Sequence, residues 1–166
     1  NFFSRWVAPL YRENAELLVA NSVDEGDKDS QQLLLTRART SLESLKQAEI
    51  EDYFSRECFE EGSSGAADAL APNVALIFPV IHENRLDLLV EAGGRLSRFS
   101  SEVGASRLAL EASELRRALA GRNRNNRHLE PAKELYNWVI RPMLEHLRQQ
   151  NISTLVFVPD GKLRSI

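Results

Sequence analysis

A chain of 166 residues, 43% apolar and 27% charged, has the size and balance of one globular domain, or of a small domain with an extension, rather than of a disordered segment. With 21 basic against 24 acidic side chains the net charge is only −3, which excludes bulk electrostatic capture of nucleic acid or of an acidic membrane. One cysteine, Cys58, excludes an internal disulfide, and no run approaches the roughly 20 apolar residues of a membrane span, so a cytoplasmic protein is expected.

From Asn1 to about Glu61 the pattern is helical. Phe3, Trp6, Val7, Leu10, Leu17 and Leu18 recur at spacings of three, four and seven, which predicts a buried stripe on a first helix. Pro9 interrupts it and marks either a new start or a kink. The acidic run SVDEGDKDS, Ser22 to Ser30, reads as a loop that ends on Ser30 as helix cap. A long second helix is expected from about Gln31 to Phe59, burying Leu34, Ala38, Leu42, Leu45, Tyr53 and Phe54. Two antiparallel helices joined this way look like one unit of a helical-repeat array. Such a pair cannot bury its own outer face and needs a neighbour.

EGSSGAADALAPN, Glu61 to Asn73, breaks the composition, so the helical pair is assigned to 1–61 and a linker to 62–73. The second domain then occupies 74–166. NVALIFPVI, RLDLLVEA and RLSRFSS read as three short strands of an antiparallel meander, with turns at His82 to Asn84 and at Gly93–Gly94. Gly104 to Gly121 is an amphipathic helix stopped by glycine. RNRNNR is a loop, and Glu130 to Asn151 is a further helix with Pro142 inside it. The apolar run Thr154 to Val158 has the composition of a fully buried strand, and it arrives at a Pro159-Asp160-Gly161 turn. Strands, helices and a closing apolar strand make an α/β order, in which ligands sit beyond the carboxyl ends of strands.

Few residues offer chemistry. Cys58 and His82 are the only pair worth testing as a thiol dyad. Cys58, however, lies near the end of a helical pattern among Glu57, Glu60 and Glu61, all of which disfavour a thiolate. His128 and His146 stand alone, and His82-Glu83 lacks the second histidine of a zinc-protease helix, so no metal or other cofactor is expected. Arg122, Arg124 and Arg127 form a basic loop without aromatic residues between them, which favours a solvated loop over RNA contact. Gly93–Gly94 is a turn and not a phosphate cradle. Asp160 suits a residue capping its own turn better than a catalytic acid. Tyr136 and Trp138, two apart on a helix, face different directions, and at least one should pack against the sheet.

The string AKELYNWVIRPMLEHLRQQNISTLVFVPDGKLRSI resembles a CHAT domain, the caspase-like domain found behind tetratricopeptide repeats. The recurring pattern of that family is a helix carrying Leu-Tyr-x-Trp/Leu-x-Ile-x-Pro. An apolar strand, Pro-Asp-Gly, and Leu-Arg-x-Ile/Leu-Pro come after it. Leu135, Tyr136, Trp138, Ile140 and Pro142 match the helix. Val156 to Gly161, including Pro159 and Asp160, match the strand and turn, and Leu163, Arg164 and Ile166 match the segment after the turn. EIEDYFSRECFEE and NVALIFPVIHENRLDLLV resemble the stretch joining the last repeat helix to the first strands, so the likeness spans nearly the whole chain and is weakest before Gln31.

The resemblance implies that the chain is the N-terminal half of a caspase-like cysteine peptidase, ending before the catalytic His and Cys. The chain alone is then inactive, and the matched residues are structural. Its implied partners are the downstream half of the same domain, upstream helical repeats, and a protein or peptide substrate or activator. Two other classes stay open: a non-enzymatic interaction module with a degenerate caspase-like fold, and a nucleotide-binding α/β domain with Asp160 near the ligand.

Overall fold

The computed structural model describes residues 2–54, 71–121 and 126–166, so Cys58, Arg122 and Arg124 lie outside the described residues. The chain divides into two compact units, one of 1–71 with 93–96, the other of 72–92 with 97–166. The fold is α/β, a helical hairpin and a mixed four-stranded sheet with helices.

In the first unit a π-helical turn, Phe3–Val7, runs into helix α1, Ala8–Asp24, and α2 extends over Lys28–Phe54. Pro9 sits in the first turn of α1, where its missing N–H costs nothing. The buried side of α1 is Ala8, Ala15, Val19 and Ser22; of the expected apolar stripe Trp6, Leu10 and Leu17 are exposed, while Phe3, Val7 and Leu18 are half-buried. The reason is packing distance. Alanines let α2 approach closely, and its facing residues are Leu35, Ala38, Leu42 and Leu45, with Leu34 one position off the buried line. Polar contacts fix the register: Asn14 Nδ2 donates to Ser41 Oγ at 3.1 Å, and Ser41 Oγ donates to the Tyr11 carbonyl at 3.1 Å. The expected cap Ser30 is instead the residue capped. Its N–H donates to Asp27 Oδ2 at 2.9 Å, and this bond holds the Asp27 carboxyl below its ordinary range. The side chains of Tyr53 and Phe54, and residues 55–59, lie outside the described residues.

The sheet orders its strands β3-β2-β1-β4, with β1 Val74–Ile81, β2 Leu86–Ala92, β3 Arg95–Ser101 and β4 Thr154–Phe157. β1 and β2 are antiparallel, from Leu76 opposite Glu91 to Ile81 opposite Leu86, while β4 runs parallel to β1, from Val74 beside Thr154 to Ile77 beside Phe157. Backbone parity explains Pro79. The carbonyls of Asn73 and Ile77 accept from Thr154 and Val158, so odd-numbered residues of β1 face β4 and even-numbered ones face β2. The N–H that Pro79 lacks is therefore on the β4 side, just past the last β1–β4 pair, and no β1–β2 bond is lost.

One sheet face carries Ala75, Ile77, Leu86, Leu88 and Val90 into a core with Leu108 of α3 (Ala105–Ala120), Leu135 of α4 (Leu129–Val139) and Leu147 of α5 (Leu144–Gln149). The opposite face carries Phe78, Val80, Asp87 and Leu89, all buried, so β2 is covered on both sides. Two sequence expectations are corrected here. The single helix expected over Glu130 to Asn151 is two helices, because Pro142 sits in a 3-10 turn, Arg141–Met143, between α4 and α5. The strand expected to be fully buried is exposed at all four positions of β4, since among the described residues it is the sheet's outer edge. An apolar run reports what a strand can bury, not which neighbour is present.

Candidate functional site

Parallel strands β1 and β4 deliver their carboxyl ends to the same side of the sheet, and two polar assemblies lie there. The first is the turn after β4. Gly161 takes a left-handed φ of 54°, which suits glycine, and opens a 3-10 turn over Gly161–Ser165. A Cβ at Gly161 would meet Ile81 Cδ1 at 3.5 Å, which places this turn against the end of β1. Asp160 is buried, and its Oδ1 accepts from Arg164 Nη2 at 3.0 Å while Arg164 Nε donates to the Pro159 carbonyl at 3.3 Å. The carboxylate is thus engaged by Arg164, four residues on in the same 3-10 turn. Leu163, between them, is buried in the helix-covered core. The Pro159-Asp160-Gly161 turn is therefore locked from both sides, by an ion pair and by an apolar anchor.

The second assembly surrounds Asp87, which sequence reasoning missed. Asp87 is fully buried on the sheet face opposite α3 to α5. Its Oδ2 lies 2.8 Å from His82 Nε2 and accepts from Arg85 Nε at 3.0 Å; its Oδ1 accepts from Arg98 Nη2 at 2.7 Å and from Ser100 Oγ at 2.6 Å. Burial alone would raise this carboxyl. The hydrogen bonds from His82 and Ser100, with the charges of Arg98 and Arg85, outweigh it and hold Asp87 well below the usual carboxylate range. Both oxygens are occupied twice, so the group serves as an anchor for three chain segments and not as an open base. The sequence signal was available: a lone aspartate inside the apolar run of β2, with arginines two residues away and on the neighbouring strand.

A third contact ties the β1–β2 turn to α3. Ala105 N–H donates to the His82 carbonyl at 3.0 Å, and a Cβ at Gly104 would overlap the Glu83 carbonyl oxygen. The glycine before α3 is therefore needed for close approach as well as for entry into the helix.

The residues that carry the resemblance do not converge on one point. Leu135 is buried, Trp138 packs half-buried against the same core, and Ile140 flanks it, whereas Tyr136 is exposed. Trp138 has Arg107 over its ring at 5.9 Å, and its carbonyl accepts from Ser101 Oγ at 2.7 Å, which links α4 to α3 and to the end of β3. Pro142 supplies the break, and Pro159, Asp160, Gly161 and Arg164 make the turn beyond β4. His146 rests against Phe99, ring centroids 5.3 Å apart, and among the described residues no three His, Cys, Asp or Glu side chains are placed to hold a metal. None of the described helices is long and apolar enough to cross a membrane. No family model, curated protein or solved structure matches the chain.

Proposed function

We propose that the chain is the N-terminal scaffold portion of a CHAT-type caspase-like cysteine peptidase, coupled to a helical-repeat sensor. The observation that carries the reading is the fate of β4. It returns parallel to β1 after the helical layer, lies at the edge of the sheet among the described residues, and ends in a Pro159-Asp160-Gly161 turn fixed by Arg164 and Leu163. In this reading the catalytic His and Cys belong to sequence beyond Ile166. This chain's residues provide position: the Asp160–Arg164 pair and Leu163 hold the backbone that leads into the catalytic half. No cofactor is called for. A helical hairpin in front passes partner binding into the peptidase half.

The experiment is reconstitution. Incubated with a fluorogenic peptide mixture and a thiol-reactive label, the chain alone is expected to cleave nothing. Mixed with the segment encoded after Ile166, it is expected to cleave, with the labelled cysteine in the added segment. Cleavage by the chain alone that vanishes in Cys58→Ala overturns the reading.

A non-enzymatic interaction module is the second reading, favoured by Trp6, Leu10 and Leu17, which stand exposed at spacings of four and seven on α1 and the turn before it. An added segment without a reactive cysteine selects it.

A further inference from the structure

Arg107 with Glu111, Arg117 with Glu114 and Arg164 with Asp160 each set one cation against one carboxylate. The Asp87 assembly does not. Arg85 and Arg98 both pair with Asp87 and, among the described residues, with no other acid. With His82 counted as neutral, two guanidinium charges face one carboxylate, which leaves one positive charge in surplus. Glu91, the other acid on this face of β2, stands four residues further along, about 13 Å up the strand. Donors are in surplus as well. Asp87 takes Arg98 through Nη2 and Arg85 through Nε, and Ser100 Oγ accepts from the same Nη2 at 3.3 Å. Arg98 Nε, on the same edge of the guanidinium as Nη2, is buried and has no acceptor among the described residues. A buried charged donor left unmet is costly, and in folded proteins it calls for a bound water or ion. The assembly also reaches solvent: the side chains of Arg85 and Arg98 are 39% and 22% exposed, and Ser100 at its rim is exposed.

We infer that Arg85 and Arg98 form a binding site for one carboxylate group, carried by a small carboxylic acid or by an acidic side chain of a peptide. Charge selects the class. One carboxylate cancels the surplus of one, whereas a phosphate dianion overshoots it and is set beside the buried, ionised Asp87. Shape agrees with charge. A guanidinium is a planar fork that meets a carboxylate through parallel N–H bonds, and it keeps its charge at any working pH. Asp87 Oδ2 holds one fork and Oδ1 the other, so both are fixed before a ligand arrives. Fixing them in advance lowers the ordering cost of binding. Asp87 is thus the positioning residue, and the two arginines are the groups that touch the ligand. Ser100 donates its one hydroxyl proton to Asp87, so it frames the site and is not itself a donor to the anion.

The inference stands independently of the peptidase reading. Its test follows the Nε–H resonances of Arg85 and Arg98 by nitrogen-15 NMR in the 166-residue chain, at fixed ionic strength. Sodium acetate and the peptide acetyl-Gly-Glu-Gly-amide are the two carboxylate probes; sodium chloride and inorganic phosphate are the comparisons. A carboxylate probe is expected to shift both resonances to saturation, and chloride is expected not to. The tighter of the two carboxylate probes tells a free acid from a peptide side chain. Arg98→Gln is expected to abolish the saturable shift at Arg85. Ser100→Glu, which tethers a carboxylate at the exposed rim, is expected to abolish it at both arginines, and this variant decides alone should Arg98→Gln fail to fold. Equal responses to acetate and chloride overturn the inference. So does phosphate bound more tightly than acetate, or an acetate shift that survives Ser100→Glu.

Discussion

His82 Nε2 lies 2.8 Å from Asp87 Oδ2, so the residue just after β1 and a residue inside β2 share one buried carboxylate with Arg85, Arg98 and Ser100. The depressed folded-state value fixes the sign of the pH dependence. Unfolded, the carboxyl titrates near its ordinary value of 3.8; folded, it titrates lower. Its stabilisation is therefore complete above the unfolded value and is lost as pH falls toward the folded one. Asp87→Asn is expected to flatten the acid limb of stability measured by thermal melts between about pH 6 and 2. Asp87→Ala, which strips the half-buried Arg85 and Arg98 of their carboxylate, is expected to cost about 1–3 kcal/mol at neutral pH. An acid limb unchanged in Asp87→Asn would remove Asp87 from the titration.

The close approach at Gly104 gives a second expectation. A methyl group there overlaps the Glu83 carbonyl oxygen, which is backbone and cannot swing aside. Gly104→Ala must move either the β1–β2 turn or the start of α3, and is expected to cost about 1–3 kcal/mol in urea denaturation. Gly26→Ala, where a Cβ meets nothing within 4 Å, is the control and is expected to change stability little. Equal effects at the two sites would show that the turn and α3 are not in contact.

For the helical hairpin the test is which face is which. Leu45 is fully buried, while Leu17 is 64% exposed. Leu45→Ala is expected to cost about 2–5 kcal/mol, whereas Leu17→Lys stays within about 0.5 kcal/mol. The reverse order in chemical denaturation would return the buried stripe to the bulky residues of α1.

Trp138 is half-buried against the sheet core and stacked by Arg107. Trp138→Ala is expected to cost about 2–3 kcal/mol, less than the roughly 3–5 of a fully enclosed aromatic. Tyr136→Ala, on the exposed side of the same helix, is expected to cost well under about 1 kcal/mol. Matching losses would mean that α4 is rotated.

Much of the α/β order was legible because punctuation in the sequence was strong. Asn and Gly residues bracket β1 to β3, and Gly104 and Gly121 bracket α3. What was not legible depended on neighbours. The bulky residues of α1 outnumber its alanines, yet Ala8 and Ala15 are buried while Leu10 and Leu17 are exposed, so bulk alone does not mark the buried face. Serine and aspartate both suit a helix cap, and only the folded backbone decides that Asp27, and not Ser30, stands outside α2. Exposure of β4 is set by what lies beside it, which its own residues do not encode. At the candidate site the turn residues Pro159 to Arg164 were found by pattern, but the Asp160–Arg164 pair and the Asp87 assembly join groups whose contact depends on three-dimensional register.

The pairing of β4 with β1 also orders events in time. Asn73 and Ser153, whose side chains bond at 2.8 Å beside that pairing, are 80 residues apart, whereas β1 and β2 are joined by a short turn. Local pairing closes small loops and forms early; β4 must wait until the intervening helices are in place. A strand that docks late through a few bonds can also leave early, without unfolding the rest. Native-state hydrogen exchange is expected to show the amides of Thr154, Val156 and Val158 opening at a lower free energy than those of β2, as one unit. The last strand to arrive is then the first to be released.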